Sequence, residues 1–476
     1  MKVLLIYPPK DNLINNNLPE FVSLESGNYP PLGIMYVAGY LQKHGICEVS
    51  LIDAQVEKLG YAQLEERMTS IQPDVVGIYA STLTLVDVIL TAKLAKKIDP
   101  SIHVCVGGPH VSIYPRQTLT FDCIDSVVIG EGEEAFAHLL AYLEKKSLEI
   151  SHDGVLLKRN GRIVGSDTHA FVRDLDSLPF PSRELLPFNK YSSVISKSNP
   201  ITNLISSRGC PFNCLYCFDG QKTYRPRKAQ NVIDEIESSV RLGINEFFFF
   251  DDTFGVNRAR VLEICKGIKE RRLNISWNIR TRVNTVDEEV LINLKEAGCH
   301  LIVYGIEAGT EEILKVLRKG ITIPQVDKAV KLTRKLGITT IANFMLGSPH
   351  ETRAHILKTI ELAIKLKPDY AQFAVTTPYP GTDLYSMAIE KGLFSRNVWE
   401  SFALKPDKNF VPPLWQENFS HEELKGFLSL AYKKFYFRPS YIIRQAAKIN
   451  SLGDILTKSK AALAMFNGTK NSKGDH

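Results

Sequence analysis

The stretch "SSRGCPFNCLYCFDG", residues 206–220, places three of the eight cysteines of this 476-residue chain within eight positions. The apolar segment "TNLISS", residues 202–207, has the character of a buried strand, so the cysteines lie on the loop that follows it. Cys210, Cys214 and Cys217 have the spacing Cys-x3-Cys-x2-Cys. Three thiolates can hold three irons of a [4Fe–4S] cluster and leave the fourth iron open to another ligand.

A zinc site and a chance cluster are the alternatives for these three cysteines. A structural zinc ion takes four ligands, often from paired Cys-x2-Cys knuckles, and the sequence has no second knuckle. Free cysteines among apolar residues usually pack as small hydrophobes. This description fits the other five, which are Cys47, Cys105, Cys123, Cys265 and Cys299. The sequence therefore favours an iron–sulfur cluster.

Strand-like and helical segments alternate on both sides of the cysteine loop. Strands are predicted at 202–207, 246–252, 275–281, 300–309, 338–349 and 370–380. Six strand–helix repeats without a Gly-rich dinucleotide loop predict a partial (β/α)6 TIM-like barrel. Chemistry in such barrels sits at the carboxyl ends of the strands. The polar residues at these ends are Asp251, Asp252, Arg280, Arg282, Glu307 and the Gly347–Pro349 segment.

An earlier α/β pattern predicts a separate N-terminal domain. Strands are predicted at 2–7, 48–54, 74–80, 103–108 and 126–130, with helices between them, which indicates a doubly wound parallel sheet. The first strand is followed by "YPPKDN" rather than G-x-G-x-x-G, which disfavours a dinucleotide. Small and polar residues follow the later strands and suit close approach of a large ligand. They are Ser81, Thr82, Gly107, Gly108, His110, Gly130, Glu131 and Gly132.

The length of the chain exceeds that of a single ordinary core and predicts several domains. We expect an N-terminal sheet domain over 1–150, a linker or small subdomain over 151–197, the barrel over 198–400 and a helical, basic region over 401–476. A hairpin with Asn160–Gly161 at its turn is predicted inside the linker.

The C-terminal region carries the net positive charge of the chain. From Lys425 onward there are ten lysines and arginines against two acids, a net charge of +8, while the rest of the chain is near neutral. The segment "AYKKFYFRPSYIIRQAAKI" suits an interfacial helix at anionic lipid. A basic segment can also indicate nucleic acid, a partner that we do not predict here. The alternative is a helix that packs on the barrel and keeps a solvated basic face.

The N-terminal segment "MKVLLIYPPK" is too short for a signal peptide, and no segment reaches the roughly 18 apolar residues of a spanning helix. The sequence therefore predicts a cytoplasmic protein, with peripheral membrane contact if the basic tail binds lipid. Clustered cysteines in that compartment bind metal more often than they form disulfides.

The cysteine motif, with Tyr216 before its third cysteine and its place on the first barrel loop, resembles the radical S-adenosylmethionine (SAM) superfamily over residues 198–400. The resemblance implies that the open iron binds SAM and that the reduced cluster cleaves it to a 5′-deoxyadenosyl radical. It further implies that "FFFFDDTF", "RTRVN", "GIEAG" and "FMLGSPHET" contact SAM. The implied residues are Asp251, Asp252 and Thr253 at the amine, Arg282 rather than Arg280 at the carboxylate, Glu307 at the ribose, and Gly347 and Pro349 at the adenine.

Structural roles are the alternatives for these residues. The two aspartates can cap the following helix, and the two arginines can be surface charges. Glu307 directly follows an apolar strand, where an unpaired carboxylate is costly to bury.

In the first domain, "PPLGIMYVAGYLQKHG", "VGGPH" and "IGEGE" resemble the cobalamin-binding domain of B12-dependent radical SAM enzymes. That group contains the anaerobic magnesium-protoporphyrin monomethyl ester cyclase and many methylases. The Asp-x-His-x-x-Gly signature of other B12 proteins is absent. We therefore expect cobalamin without a histidine beneath the cobalt, and packing or capping is the alternative role of His110. Members of the group can also keep the domain and lose the cofactor.

The resemblance implies an enzyme that functionalises an unactivated carbon of a small-molecule substrate by methyl transfer. Membrane contact of the basic tail would favour a lipid, isoprenoid or tetrapyrrole substrate. An electron donor such as flavodoxin or ferredoxin is its implied partner. A cyclase, oxidation or rearrangement enzyme without methyl transfer is the alternative. A methylthiotransferase needs three more clustered cysteines, and a noncatalytic cobalamin or iron–sulfur sensor has no use for SAM-facing residues.

Overall fold

The computed structural model describes residues 1–14, 27–145, 153–218, 223–395 and 397–446. The described residues form two compact units. The first contains residues 1–14, 28–145, 153–191, 395 and 397–411. The second contains residues 27, 192–218, 223–394 and 412–446.

The first unit is built on a seven-stranded sheet with the order β2-β1-β3-β4-β5-β6-β7. Its strands are β1 Lys2–Tyr7, β2 Glu48–Asp53, β3 Val75–Tyr79, β4 His103–Gly107, β5 Ser126–Val128, β6 Val155–Arg159 and β7 Arg162–Gly165. The first five strands pair in parallel, and the last two add an antiparallel hairpin to the sheet. Asn160 and Gly161 have φ angles of 50° and 74° at its turn, as the type I′ turn requires.

The described residues of the first unit also contain six α-helices. They are α1 Leu32–Lys43, α2 Tyr61–Ile71, α3 Leu85–Ile98, α4 Pro115–Thr118, α5 Gly132–Leu143 and α13 Val398–Leu404. Helix α1 packs on α5 and α2 packs on α3, in the manner of a doubly wound fold. The strand order changes direction between β1 and β3, and such a switch point opens a crevice at the carboxyl ends of the strands. This crevice is where the fold would place a ligand.

The second unit is built on a six-stranded parallel sheet, in the order β15-β14-β13-β12-β11-β8. Its strands are β8 Ile201–Leu204, β11 Glu246–Phe249, β12 Ser276–Thr281, β13 Cys299–Glu307, β14 Thr339–Leu346 and β15 Tyr370–Val375. Among the described residues no ladder joins β8 to β15, so the predicted partial barrel is confirmed. A short antiparallel pair, β9 Ser207–Arg208 and β10 Arg225–Pro226, closes the base of the cysteine loop.

Helices cover the outer face of this sheet and enclose its main core. They are α6 Ala229–Arg241, α7 Arg258–Glu270, α8 Glu288–Glu296, α9 Glu311–Val316, α10 Ile323–Lys335, α11 Arg353–Leu366 and α12 Asp383–Glu390, followed by α14 His421–Tyr436 and α15 Pro439–Ala446. The side chains of Phe247, Phe249, Trp277, Phe344 and Phe373 are almost fully buried in this core. Because strand side chains alternate between faces, the residues between them face the inside of the barrel.

Helix α14 covers the open edge of the barrel at β15. The Tyr432 hydroxyl donates to Phe373 O (3.0 Å) and accepts from Phe373 N (3.2 Å). Tyr436 makes the same pair of bonds to Ala371, at 2.9 and 3.1 Å. Two tyrosines one helical turn apart thus satisfy main-chain groups that an edge strand leaves unpaired. The predicted helical tail packs on the barrel through residue 446, and residues 447–476 lie outside the described part of the chain.

Within the described residues, no helix has both the length and the apolar composition that crossing a bilayer requires.

We predict that Tyr432→Phe and Tyr436→Phe each lower the free energy of unfolding by about 1–3 kcal/mol, because each leaves buried main-chain groups of β15 without a partner. Denaturant unfolding of the apoprotein measures the loss. Tyr142→Phe is the control, since its hydroxyl makes no hydrogen bond among the described residues. Equal stability of all three variants would contradict a role for these hydroxyls at the edge.

Candidate functional site

The three cysteines lie on the loop that leaves β8, as predicted. Cys214 is buried, Cys210 is half-buried and Cys217 is exposed. Leu215, between the second and third cysteines, donates its N–H to Leu317 O at 3.0 Å, which ties the loop to the end of α9. The loop therefore has a fixed inner side at Cys214 and Leu215 and an open side at Cys217.

The surroundings of Cys214 favour the thiolate, whereas the hydrogen bond with Cys214 and burial raise the pKa of the Cys217 thiol. Arg282 Nη1 lies 3.4 Å from Cys214 Sγ, and Thr253 Oγ1 lies 3.6 Å from Cys210 Sγ. The pKa of Cys214 is lowered to about 5 by a hydrogen bond with the Cys217 thiol and by the charges of Lys319 and Arg282, which together outweigh the effect of burial. Because the thiolate is the form that binds metal, the loop is chemically suited to an iron–sulfur cluster.

The described residues contain no group of three or more Cys, His, Asp or Glu side chains close enough to hold a metal ion. The ligand role of Cys210, Cys214 and Cys217 therefore stays a prediction.

Asp251 faces the start of the cysteine loop. Its carboxylate accepts hydrogen bonds from Ser206 N (2.7 Å), Ser206 Oγ (2.6 Å) and Ser207 Oγ (2.5 Å). Arg260 Nη1 donates to Ser206 O at 3.0 Å, and its Nη2 lies 3.8 Å from the Asp251 carboxylate. This buried set fixes the main chain just before Cys210. Contact between Asp251 and SAM stays a prediction, and the structure gives this residue a positioning role.

The two residues after Asp251 lie nearer the cysteines. Asp252 is exposed, and its carboxylate lies near the N–H of Gly209, next to Cys210. Thr253 is buried and donates its hydroxyl to Asp252 O at 2.7 Å. Helix α7 begins only at Arg258, and its N-cap is Asn257. The helix-capping alternative for the two aspartates therefore does not apply.

Arg282 is buried against the cysteine loop and is not a surface charge. Besides its contact with Cys214, its guanidinium lies 3.9 Å from the centre of the Phe212 ring, and its Nη2 donates to Lys319 O. Arg280, by contrast, is exposed and lies over the ring of Phe250 at 4.5 Å. Of the two arginines, the one predicted at SAM is the one that contacts the loop.

Glu307 is paired with a buried lysine that the sequence did not single out. Lys319 Nζ lies 2.9 Å from Glu307 Oε1 and 3.0 Å from the Tyr216 hydroxyl. Glu307 has φ = 76°, a left-handed conformation that is uncommon for a non-glycine residue. A Cβ atom on Gly305 would lie 2.5 Å from Glu307 Oε1 and 3.0 Å from Lys319 Nζ. The glycine therefore makes room for this buried ion pair.

The fifth strand end contains another buried carboxylate, which we did not predict. Glu351 Oε2 accepts from Ser348 N at 2.8 Å, and Oε1 has no hydrogen-bond partner among the described residues. Burial raises the pKa of Glu351 to about 7. Its carboxyl group holds the turn that presents the predicted adenine residues Gly347 and Pro349. "SPHET" gives no sign that this glutamate is buried.

In the first unit the predicted loop residues surround β3, β4 and β5. His110 is fully buried, its Nδ1 lies 3.1 Å from Thr82 Oγ1, and burial lowers its pKa to about 4. Its Nε2 has no partner among the described residues. Ser81 pairs with Thr84 at 2.9 Å. The packing role of His110 is thus what the structure displays, and a cofactor contact stays a prediction.

The glycines of these loops allow close main-chain packing. A Cβ on Gly108 would lie 2.7 Å from Ala80 O, and one on Gly130 would lie 2.5 Å from Ala170 O. Glu131 accepts from Val172 N at 2.6 Å. A Cβ on Gly107 would be in ordinary van der Waals contact, 3.8 Å from Val128 O, and one on Gly132 would lie 3.1 Å from the side chain of Val37. Packing within the protein therefore explains several glycines that we had predicted to admit a ligand.

The remaining cysteines of the first unit do not suggest a second cluster. Cys105 lies inside β4, where burial raises its pKa to about 12, and burial also raises the pKa of Cys123. Cys47 is half-buried outside the strands. The methylthiotransferase alternative thus lacks the grouped thiols that it needs among the described residues.

Comparison with known proteins adds the family. A model of the B12 binding domain matches residues 25–140, and a model of the Radical SAM superfamily matches residues 204–363. An uncharacterized methyltransferase of Pyrococcus horikoshii is 36% identical over 449 residues, which cover 93% of this chain and 94% of the relative. The chain belongs to the radical SAM superfamily. Within it, this protein has the B12 binding domain before the radical SAM domain.

Two further similarities describe this branch of the radical SAM superfamily. The anaerobic magnesium-protoporphyrin IX monomethyl ester cyclase of Rubrivivax gelatinosus is 29% identical, over 93% of this chain and 78% of the relative. The solved structure of the cobalamin-dependent S-adenosylmethionine radical enzyme OxsB superposes with a TM-score of 0.72 at 19% identity, over 99% of this chain and 71% of that one. The second similarity shows the fold.

The family confirms the predicted radical SAM enzyme with an N-terminal cobalamin-type sheet domain, a partial barrel and a helical C-terminal region. The cofactors of this family are a [4Fe–4S] cluster, SAM and cobalamin, as predicted. The individual site residues stay predictions, and sequence reasoning missed Phe212, Arg260, Lys319 and Glu351.

We predict that Lys319→Met lowers the free energy of unfolding by about 3–5 kcal/mol, because it leaves the Glu307 carboxylate buried without a partner. The double variant Lys319→Met/Glu307→Gln should lose less than the single lysine variant. Arg318→Met is the matched control, since Arg318 pairs with Asp383 at the surface, where a pair contributes less than about 1 kcal/mol. If the loss of stability in the double variant equals the sum of the losses in the Lys319→Met and Glu307→Gln single variants, the two side chains are not coupled.

We predict that Glu351 makes stability depend on pH. The folded protein keeps a proton on Glu351 that the unfolded chain loses between pH 4.5 and about 7, so the contribution of this group falls as pH rises through that window and is constant above it. The Glu351→Gln variant should therefore gain about 2–3 kcal/mol relative to wild type between the ends of the window. Melting curves across this range measure it.

Glu361→Gln on the exposed side of α11 is the control for this measurement. It should follow the wild-type pH profile. Parallel profiles of wild type and Glu351→Gln would show that Glu351 does not hold the additional proton.

Proposed function

We propose that this chain is a cobalamin-dependent radical SAM methyltransferase that acts on an unactivated carbon. The observation that carries the proposal is the convergence of predicted SAM residues on the cysteine loop. Arg282 contacts Cys214 directly, and Lys319 joins Glu307 to Tyr216 of the motif itself. A chance group of cysteines on a surface loop would not explain why the buried cations Arg282 and Lys319 lie beside it, with Lys319 paired to Glu307.

We assign the [4Fe–4S] cluster to Cys210, Cys214 and Cys217. When bound, the cluster, SAM and cobalamin supply electron transfer, radical formation and a methyl carrier. The chain supplies positions and charge. Asp251 and Arg260 hold the main chain before Cys210, and the cations of Arg282 and Lys319 lie beside thiolates that would be costly to bury without them.

For SAM we propose Asp252, Thr253, Arg282 and Glu307 as contacts, with Gly347 and Pro349 at the adenine. For cobalamin we propose the loops after β3, β4 and β5, with His110 as a packing residue and no histidine ligand to cobalt. The direction change between β1 and β3 supports that placement, because ligands of doubly wound sheets bind at such points.

Polar side chains on the inner face of the barrel indicate what kind of substrate it could bind. Asn278 lies between the core residues Trp277 and Ile279 on β12, so its side chain faces the inside of the barrel. Its Nδ2, and Oδ1 of Asn343 on the same face of β14, are buried without a hydrogen-bond partner among the described residues. We propose a small-molecule or lipid-like substrate that carries hydrogen-bonding groups, as a tetrapyrrole does, rather than a plain hydrocarbon.

Methyl transfer is favoured because the methyltransferase of Pyrococcus horikoshii matches nearly the whole chain. Cyclisation is the second candidate, because the cyclase of Rubrivivax gelatinosus also matches 93% of it. We also propose that the protein works in the cytoplasm, where the thiols of the cysteine loop stay reduced, and that flavodoxin or ferredoxin reduces it.

We predict that anaerobically reconstituted protein forms 5′-deoxyadenosine and S-adenosylhomocysteine from SAM, and that the second product requires cobalamin. Cys214→Ala should abolish 5′-deoxyadenosine formation and retain corrinoid binding by the first unit. Cys47→Ala is the control and should behave as wild type. Chromatography of the products measures both.

Cobalamin-dependent formation of S-adenosylhomocysteine would support methyl transfer. Formation of 5′-deoxyadenosine alone would favour cyclisation, oxidation or rearrangement. Neither product, from protein with a full complement of iron and sulfide, would contradict the enzyme and favour a sensor.

A further inference from the structure

The last described helix, α15, is held in place by polar contacts on one side. The Tyr441 hydroxyl donates to Asp369 O at 3.0 Å, and Arg444 Nη2 donates to Pro368 O at 2.8 Å. Tyr441 is 7% exposed and belongs to the core of the second unit. The side of α15 that carries Tyr441 and Arg444 therefore faces the barrel, and the opposite side faces outward.

The outer face presents two adjacent isoleucines. Ile442 is 53% exposed and Ile443 is 69% exposed, the largest exposed fractions among the isoleucines and leucines of the described residues. Phe437, at the end of α14, is 39% exposed. Large apolar side chains exposed next to one another often mark a surface that contacts something else.

The charge around this face has one sign. The sequence from Leu424 to Gly453 contains six lysines and arginines and no acidic residue. Arg438 and Arg444 donate to main-chain oxygens near the end of α11. Lys434 is exposed on α14, the helix before the isoleucines, and Lys448 follows them in the sequence. The surface thus combines apolar side chains with basic ones, and the nearby acidic residue Asp369 is buried beneath the helix.

Anionic lipid fits both properties. A nucleic acid matches the lysines but leaves the isoleucines in water, because phosphates and sugars offer little apolar surface. A bilayer interface accepts apolar side chains at the boundary of the headgroups and acyl chains, while anionic headgroups attract the lysines. Lipid is therefore the partner that both observations favour.

We propose that α15 docks the protein on an anionic membrane surface through Ile442 and Ile443. The contact is peripheral, it uses the outer face of a helix that the barrel already holds in place, and it is independent of the proposed methyl transfer. The buried face, with Tyr441 and the two arginines, stays on the barrel when the outer face meets lipid.

Vesicle flotation of the full-length protein tests this proposal. Wild type should float with vesicles of phosphatidylcholine and phosphatidylglycerol, should not float with phosphatidylcholine alone, and should be released by high salt. The double variant Ile442→Ser/Ile443→Ser should lower the bound fraction by about tenfold, because it removes the apolar part of the contact.

A matched control uses two other apolar residues of the second unit. Leu242 and Ile292 are each 37% exposed, and Leu242→Ser/Ile292→Ser should float as wild type does. Melting temperatures verify that both double variants fold. The proposal is overturned if wild type stays unbound on anionic vesicles, or if the Ile442→Ser/Ile443→Ser variant floats like wild type.

Light scattering distinguishes the other occupants of this face. A dimer of the wild type that the Ile442→Ser/Ile443→Ser variant dissociates, without flotation, would assign the face to a second copy and overturn the membrane contact. A monomer without flotation would overturn the membrane contact as well.

Discussion

The buried ammonium group of Lys319 is the contact on which the candidate site depends. It bonds both to Glu307 at the end of β13 and to Tyr216 of the cysteine motif, while its main-chain oxygen accepts from Arg282. A buried carboxylate is expensive without a partner, and so is a buried ammonium. Because each of these groups satisfies another, the cysteine loop and the fourth strand end are held in one arrangement by charge.

This arrangement constrains the neighbouring main chain. Glu307 has φ = 76°, and a non-glycine residue in a sparsely populated region of this kind costs of order 1–3 kcal/mol. Gly305, two residues earlier, keeps open the volume that the ion pair occupies. The strand therefore contains a strained residue at Glu307 and a residue without a side chain at Gly305. Both features allow the Glu307 carboxylate to lie beside the cysteine loop. Packing of the barrel core requires neither feature.

The sequence predicts the strands and helices of this protein well because their apolar periodicity is local. It also places the cysteines and the polar strand ends correctly, since the carboxyl ends of parallel strands meet at one edge. It does not reveal Lys319, which lies twelve residues beyond Glu307 in the loop that follows α9. Asp251 shows the opposite error. Its place after β11 predicts contact with a ligand, but in the structure its carboxylate contacts Ser206 and Ser207. The pairing of buried groups depends on how separate helices, strands and loops pack together. The local sequence does not contain this information.

The open barrel explains why the C-terminal region has two characters. A six-stranded sheet that does not close leaves the main-chain groups of β15 exposed at its edge, and Tyr432 and Tyr436 satisfy them from α14. Helix α15 continues this cover through Tyr441. A helix that turns one side toward an edge strand necessarily turns its other side outward, and here that side carries Ile442 and Ile443. The same basic, aromatic segment therefore has two roles. Its tyrosines and arginines contact the barrel, and its isoleucines face away from it. A truncation that removes this segment would expose β15 as well as delete the outer surface, so only substitutions at the outer face separate the two roles.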